Sequence, residues 1–263
     1  MINLMSAELY KLRKSMCFKA AAGLAVLFSL VTYLMYTLFR NNMIEGVDAS
    51  VLEEISRVDI LRVLQEMFAN TNTIIFATVF ACFFVLGDYN SGAMKNFVGK
   101  GLRRDEIYLA RFLVTELGAV LIYLLTALAV FVEGILFWGT DQVNGKMIQD
   151  FFSYLSMNLL YLTGYTAVII LVCEITRNTV GLLISILGIM LLSSVVFQGL
   201  DLVIHALGLS FSLSKYWIMT VIQSCPVTEI PVRFVTSSGV TAGAWLILSL
   251  IGGILYFSKK DVQ

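Results

Sequence analysis

The chain alternates between long apolar runs and short polar segments, and this pattern predicts membrane-spanning α-helices. A helix rises 1.5 Å per residue, so about 20 apolar residues cross the roughly 30 Å of hydrocarbon in a bilayer. Both prolines, Pro226 and Pro231, fall in one loop, so the spans should be continuous helices with intact backbone hydrogen bonding. Six runs qualify, at residues 18–39, 69–86, 112–138, 151–173, 179–200 and 239–257.

Composition agrees with this pattern, because 59% of the residues are hydrophobic, only 14% are charged and the mean hydropathy is +0.86. Such values are typical of integral membrane proteins. No linker rich in Pro, Gly or Ser and no short repeat divides the sequence. We therefore expect an all-α integral membrane protein with one transmembrane domain, residues 1–263. The first run is longer than the apolar core of a signal peptide, so it should remain as an anchor.

The basic residues predict the orientation of the chain in the membrane. Twelve of the 18 Lys and Arg residues lie in the amino-terminal segment and in residues 87–111, 174–178 and 258–263. These segments, and with them both termini, are expected in the cytoplasm. Acidic residues are more frequent in the outer segments. This distribution fits a signal for membrane insertion alone, or the attraction of a cationic substrate to the outer face. No Asn-x-Ser/Thr acceptor occurs, which favours a bacterial cytoplasmic membrane.

Two outer connections carry structural signals of their own. In residues 48–68, Ser50 and Glu53 match a capping box that precedes a partly apolar helical face, so we predict an amphipathic helix there. The connection before the last span mixes aromatic residues with isolated charges. It should lie at the interface or re-enter the membrane, with Tyr216 and Trp217 at headgroup depth. These connections are therefore expected to be ordered rather than simple loops.

The sequence offers little for chemistry. His205 is the only histidine, which excludes a metal site built on a histidine pair. The segment most like a phosphate-binding loop, Gly139–Met147, has the wrong glycine spacing and Met147 where Ser or Thr is required. We therefore predict no catalytic residue, no metal site, no cofactor bound by this chain and no nucleic-acid partner.

Two carboxylates, Glu116 and Glu133, lie on the third apolar run. They are seventeen residues apart, or about 25 Å of helix, so they should approach opposite interfaces. Two interpretations stay open: both side chains reach water at either end of the span, or Glu133 forms part of a binding site near the outer leaflet. Few charges are expected near the midplane, which argues against an ion-coupled carrier.

The most informative stretch is the polar, basic loop LGDYNSGAMKNFVGKGLRRDEIYLARF, residues 86–112. Ser91 is placed to cap a short helix that ends near Gly99, and Met94, Phe97 and Val98 would share one face of it. This compact apolar knob, flanked by basic residues, could lie on anionic lipid or insert into a groove on another protein. Its shortness favours the protein groove.

The order of an amino-terminal ELYKLRKS before the first span and this loop between the second and third spans resembles a known family. It is similar to the permease subunits of type-2 ATP-binding cassette transporters, in the branch of small bacterial permeases with a separate ATPase. Asp88, Gly92 with Ala93, Lys95, and Arg103 or Arg104 match the family pattern. A Glu and a Gly-Thr pair are more usual in the family where this chain has Asp88 and Gly92-Ala93.

The resemblance implies a type V exporter fold, with an interfacial amino-terminal helix, six spans, a coupling helix after the second span and re-entrant outer helices before the sixth. It implies two permease copies, or a related pair, that meet near their second and fifth spans and bind two ATPase subunits. ATP and magnesium would be bound by the ATPase. The implied coupling residues are Asp88, Ser91, Gly92, Met94, Lys95, Phe97, Val98, Arg103 and Arg104.

For the substrate, the resemblance suggests export of, or immunity to, membrane-active peptides such as bacteriocins. Polar residues near the outer half would line the route, although each also suits a helix-packing hydrogen bond. A secondary carrier or channel that is not driven by ATP is the alternative, and the absence of broken helices disfavours it. The candidate pathway residues are Asn70, Asn72, Glu133, Asn158 and Gln198.

Overall fold

The computed structural model describes residues 2–41, 58–69, 72–93, 99, 101–141, 143–178, 186 and 188–259, and no β-strand occurs among them. The protein is therefore all-helical over this part of the chain. The α-helices are α1 (Ile2–Lys14), α2 (Met16–Arg40), α3 (Ile60–Ala69), α4 (Asn72–Asn90), α5 (Arg104–Trp138), α6 (Gly145–Thr176), α7 (Ser193–Ala206), α8 (Ile218–Gln223) and α9 (Val232–Lys259).

Five of these helices are long and apolar enough to cross a membrane: α2, α4, α5, α6 and α9. The expectation of a multi-pass, all-α membrane protein is therefore supported. The helices extend beyond the predicted runs. α5 begins at Arg104, eight residues before the apolar run, because the helical hydrogen-bond pattern continues through charged residues that hydropathy treats as a boundary.

The predicted fifth span, residues 179–200, is not recovered as one long helix. Residues 179–185 and 187 lie outside the described part of the chain. Beyond them come a five-residue π-helical segment, Gly188–Leu192, and then α7, which has 14 residues and continues past the predicted end. A helix of that length is too short to cross a bilayer alone. Within the described residues the structure thus gives five candidate spans, and the sixth predicted span lies partly outside them.

Helix α5 lies at the centre of the bundle, where it packs against α1, α2, α4, α6 and α9, while α6 and α9 share the most extensive interface. Close packing between α6 and α9 depends on a small residue. A Cβ atom at Gly164 would lie 2.9 Å from the carbonyl oxygen of Ala242, so a larger side chain there would separate the two helices. The long spans therefore form one tightly packed unit.

The outer connections are ordered where the structure describes them. Asp59 caps α3 by accepting a hydrogen bond from the Arg62 amide at 2.8 Å, and α3 buries Leu61 and Leu64 against its neighbours. The predicted capping box, Ser50 with Glu53, lies outside the described residues. The segment before α9 contains a 3₁₀ turn, Ser214–Tyr216, and the short helix α8.

The aromatic pair of this segment divides into one buried and one exposed ring. Trp217 is buried, whereas Tyr216 is exposed. The carbonyl oxygen of Tyr216 accepts a hydrogen bond from the Trp245 indole at 2.8 Å. Since Trp245 lies about 20 Å along α9 from its first residue, the segment reaches well down the side of the bundle.

Candidate functional site

Charged side chains from four helices meet at the end of the bundle where α4 ends and α5 begins, which we call the inner end. Asp88, Arg111 and Glu174 are buried there, with only 4%, 0% and 0% of their surfaces exposed. Isolated buried charges are unstable, so such residues must be paired with one another. We define the inner network as Glu8, Lys11, Asp88, Tyr89, Arg111 and Glu174.

Lys11 fastens the amino-terminal helix α1 to the end of α4. Its Nζ atom donates to Asp88 Oδ1 at 2.6 Å and to the carbonyl oxygen of Phe84 at 3.1 Å. The same ammonium lies 4.0 Å from the centre of the Phe84 ring, and it pairs with Glu8 at 3.4 Å. Burial raises the pKa of the Glu8 carboxyl above its ordinary value, while the Lys11 charge opposes that rise.

Arg111 joins the beginning of α5 to the end of α6. Its guanidinium donates to Glu174, and the Tyr89 hydroxyl donates to the second oxygen of the same carboxylate. The Arg111 Nη1 atom lies 3.9 Å from Asp88 Oδ2. The guanidinium also faces the rings of Tyr89 and Phe257, at 5.2 and 5.5 Å from their centres. One side chain thus contacts α4, α6 and α9.

The local structure explains why these groups meet. Arg111 lies two helical turns, about 10 Å, inside α5, so it enters the bundle rather than the solvent. Glu174 lies just before the end of α6, which Arg177 terminates in the left-handed conformation with φ 48°. The Arg177 guanidinium lies 5.2 Å from the centre of the Tyr89 ring, on which Arg111 also packs.

Both ends of the predicted coupling loop are attached to the bundle. At the first end, Asp88 belongs to the inner network and accepts a hydrogen bond through its carbonyl from Ser91 at 3.5 Å. Gly92 follows with φ +70°, a conformation that disfavours residues with a Cβ atom. At the second end, Arg103 pairs with Asp105 at 2.7 Å, and Arg104 donates to the carbonyl of Ser258 at 3.3 Å.

The knob itself lies outside the described residues, and this covers four of the predicted coupling residues: Met94, Lys95, Phe97 and Val98. The structure therefore shows how the loop is anchored and leaves its apolar face as a prediction.

Sequence reasoning missed most of the inner network. It counted Arg111 as a residue of the basic loop, and it assigned Glu174 to a polar connection, whereas both are buried in helices. The available signal was the occurrence of opposite charges at the inner ends of neighbouring apolar runs. That signal does not identify partners, because Arg111 and Glu174 are 63 residues apart.

The predicted pathway residues have different neighbours. Asn70 lies outside the described residues, Asn72 begins α4, and Gln198 is exposed on α7. Glu133 is buried in the outer half of α5. Asn158 is buried on α6, where its amide donates to the Tyr154 carbonyl at 3.0 Å and lies 3.8 Å from Cys225 Sγ, contacts that suit helix packing.

Glu116 lies deeper in the bundle than the sequence predicts. It is only 8% exposed and about 18 Å along α5 from Arg104, so it does not reach water at an interface. One carboxyl oxygen lies 2.5 Å from the Thr166 hydroxyl of α6. The other has no hydrogen-bond partner among the described residues.

Comparison with known proteins adds no assignment to this geometry. No protein-family model matches the chain, and no curated protein is significantly similar to it. Within the described ranges, no three His, Cys, Asp or Glu side chains are grouped so that they could hold a metal ion. The contacts of the inner network and the sequence of the adjoining loop are therefore the features that bear on function.

Proposed function

We propose that this chain is the membrane-spanning subunit of an ATP-driven exporter of the type-2 ATP-binding cassette class, located in the bacterial cytoplasmic membrane. A pair of such permeases would form the pathway, and separate ATPase subunits would bind ATP and magnesium. The observation that carries the proposal is the position of Asp88. The residue that begins the predicted coupling loop is bonded to α1 through Lys11 and faces Arg111 of α5.

This arrangement would transmit a push on the loop to the membrane helices. The loop leaves α4 and enters α5, and the inner network joins both helices to α1 and α6. Buried, paired charges cannot separate freely, so displacement of the loop would move these helices together. The apolar face of Met94, Phe97 and Val98 would bind a cleft on the ATPase, and ATP-driven closure of the ATPase pair would supply the push.

A membrane-active or antimicrobial peptide is the proposed substrate, exported from the cell or removed from the membrane as immunity. The support comes from the sequence resemblance and from the polar residues of the outer half of the bundle, such as buried Glu133.

The test is to recover the chain from its native host under mild detergent and identify the proteins that accompany it. We expect an ATPase with a phosphate-binding loop, lost in Phe97→Asp because a charge on the knob would oppose its burial in a cleft. Val232→Asp is the matched control, because Val232 is a highly exposed apolar residue at the opposite end of the bundle. Recovery of the permease without any ATPase, while other complexes survive, would contradict the proposal.

One observation favours the alternative, a secondary carrier. Buried Glu116, with a carboxyl oxygen that no described residue contacts, is the kind of group that ion-coupled transport uses. Transport by the purified chain alone, driven by an ion gradient and abolished in Glu116→Gln, would establish the carrier. Under the exporter proposal, Glu116→Gln should leave ATP-driven transport close to that of the unmodified chain, because an amide can still bond to Thr166.

A further inference from the structure

A cleft opens between the segment before α9 and one face of α9 itself, at the end of the bundle opposite the inner network. Its volume is about 610 Å³, which lies within the range of roughly 300–1,000 Å³ typical of small-molecule sites. We call it the outer cleft. Its lining includes Tyr216, Arg233, Ser237, Val240, Trp245 and Leu248.

The lining changes from polar to apolar along the cleft. Arg233 lies in the first turn of α9, hydroxyl side chains such as Ser237 follow one turn later, and Val240 and Leu248 lie further down the helix. From Arg233 to Leu248 the helix rises about 22 Å. Half of a bilayer that is about 40–45 Å thick with its headgroups measures about the same. The cleft therefore has the length and polarity of one lipid leaflet.

Arg233 gives the polar end of the cleft a positive charge. Its side chain is exposed, and no acidic side chain of the described residues forms an ion pair with it. The nearby Glu229 pairs instead with Lys146, at 3.2 Å. A guanidinium recognises phosphate well, because its planar donors match the geometry of phosphate oxygens.

The wall of the cleft is held in place by hydrogen bonding and ring packing. The Trp245 indole nitrogen donates to the Tyr216 carbonyl at 2.8 Å, so its polar atom is already satisfied. The Trp217 ring meets Trp245 edge to face, with centres 5.2 Å apart, and Phe197 stacks on Trp217 at 5.0 Å. The remaining surface of Trp245 is available to an apolar group.

We propose that the outer cleft binds one anionic phospholipid of the outer leaflet. The phosphate would contact Arg233, and one acyl chain would lie along Val240, Trp245 and Leu248. A peptide fits less well, because Val240 and Leu248 offer no partner for its backbone hydrogen-bonding groups. This inference does not depend on the proposed transport function.

The binding test uses native mass spectrometry on the full chain mixed with phosphatidylglycerol and phosphatidylcholine. We expect the unmodified chain to retain phosphatidylglycerol in preference, and Arg233→Ala to reduce that preference at least about tenfold, because the variant removes the charge that attracts the anionic headgroup. Arg62→Ala is the matched control, because Arg62 is an exposed arginine of α3 whose guanidinium donates to nearby Gln65 at 3.0 Å, away from the outer cleft. Equal retention of the two lipids, or no effect of Arg233→Ala, would overturn the proposal.

A second measurement locates the acyl chain. Phosphatidylglycerol with brominated chains should quench tryptophan fluorescence, and the quenched fraction should fall in Trp245→Phe and in Ala244→Phe, which fills the cleft without adding a tryptophan. Quenching that neither variant alters would assign the lipid to another surface. A dimer whose lipid content Arg233→Ala does not change would assign the cleft to a second copy of the chain. Either result rules the lipid site out.

Discussion

At the scale of single residues, Arg111 is the unusual feature of this bundle. It is the largest of the fully buried side chains among the described residues. The guanidinium remains stable there because Glu174 balances its charge and two aromatic rings cover its faces. The stability of this region should therefore depend on the pair and not on either residue alone.

Arg111→Leu should destabilise the protein by about 3–5 kcal/mol, because it leaves Glu174 buried without a cation. Glu174→Leu should do the same. The double variant should lose less than the sum of the two, since it leaves neither charge unpaired. Thermal unfolding of all three in detergent measures the difference. Arg62→Leu, an exposed arginine, should change the free energy of unfolding by no more than about 0.5 kcal/mol.

If the two single losses in the free energy of unfolding add in the double variant, Arg111 and Glu174 do not stabilise each other. The inner network would then not depend on this pair.

Residues of this kind mark the limit of sequence reasoning. Asp88 was found because it lies in a recognisable loop motif, whereas Arg111 was treated as a loop residue because charge normally marks the end of a span. Whether a charge near a span end reaches water or enters the bundle depends on its partner. Here that partner, Glu174, comes from a distant part of the sequence.

At the scale of elements, apolar run length predicts α2 closely, because its run carries one charge, Lys19, near its start and is bounded by Ser15 and Arg40. The same reasoning places the end of the fifth span too early. Residues 193–206 form a helix that continues through Asp201, and hydropathy ends the run at that charge. Asp201 stays helical because it bonds to the next segment rather than to water.

Asp201 fastens the turn that follows α7, and this bond should respond to pH. Its carboxylate accepts from the Ser212 hydroxyl at 2.6 Å and from the Leu213 amide at 2.5 Å. Hydrogen bonds from Ser212, Ser214 and the backbone amides lower the pKa of Asp201 to about 2. A lowered carboxyl pKa stabilises the folded turn above the unfolded value, about 3.9, and the benefit is lost as the pH falls from there through 2.

In Asp201→Asn this turn should therefore be open at neutral pH. In the unmodified chain it should open only as the pH falls from about 4 to 2. Hydrogen exchange of the Leu213 and Ser214 amides measures the opening. Asp141→Asn is the control, since Asp141 is an exposed carboxylate of another outer loop. Protection that is the same in Asp201→Asn and the unmodified chain at pH 7 would show that the carboxylate does not hold the turn.

At the scale of the whole molecule, the inner network makes one unit of α1, α4, α5 and α6. Asp88→Asn would remove the charge that binds Lys11, so α1 would be held less firmly to the end of α4, where Lys11 still contacts Phe84. Under the proposed exporter function, we expect the ATPase to remain bound and ATP-driven transport to fall at least about fivefold, the lower end of typical coupling between sites. Lys11→Met should reproduce the effect.

Asp141→Asn provides the comparison, because Asp141 is an exposed carboxylate that follows α5 at the opposite end of the bundle from the coupling loop. Transport and ATP hydrolysis are measured together in reconstituted vesicles. Equal transport per ATP in Asp88→Asn and Asp141→Asn would show that the link to α1 is not needed for coupling.

The length of α5 has a mechanical consequence. Its 35 residues form a rod about 52 Å long that contains no proline and exceeds the thickness of the hydrocarbon. Its two glycines are packed against Phe80 and Ile60, so neither creates a flexible position in the helix. A rod of this length acts as a lever: a tilt of about 10° at Arg104 would displace Trp138 by about 9 Å. A small tilt at one membrane surface would thus produce a larger displacement at the other.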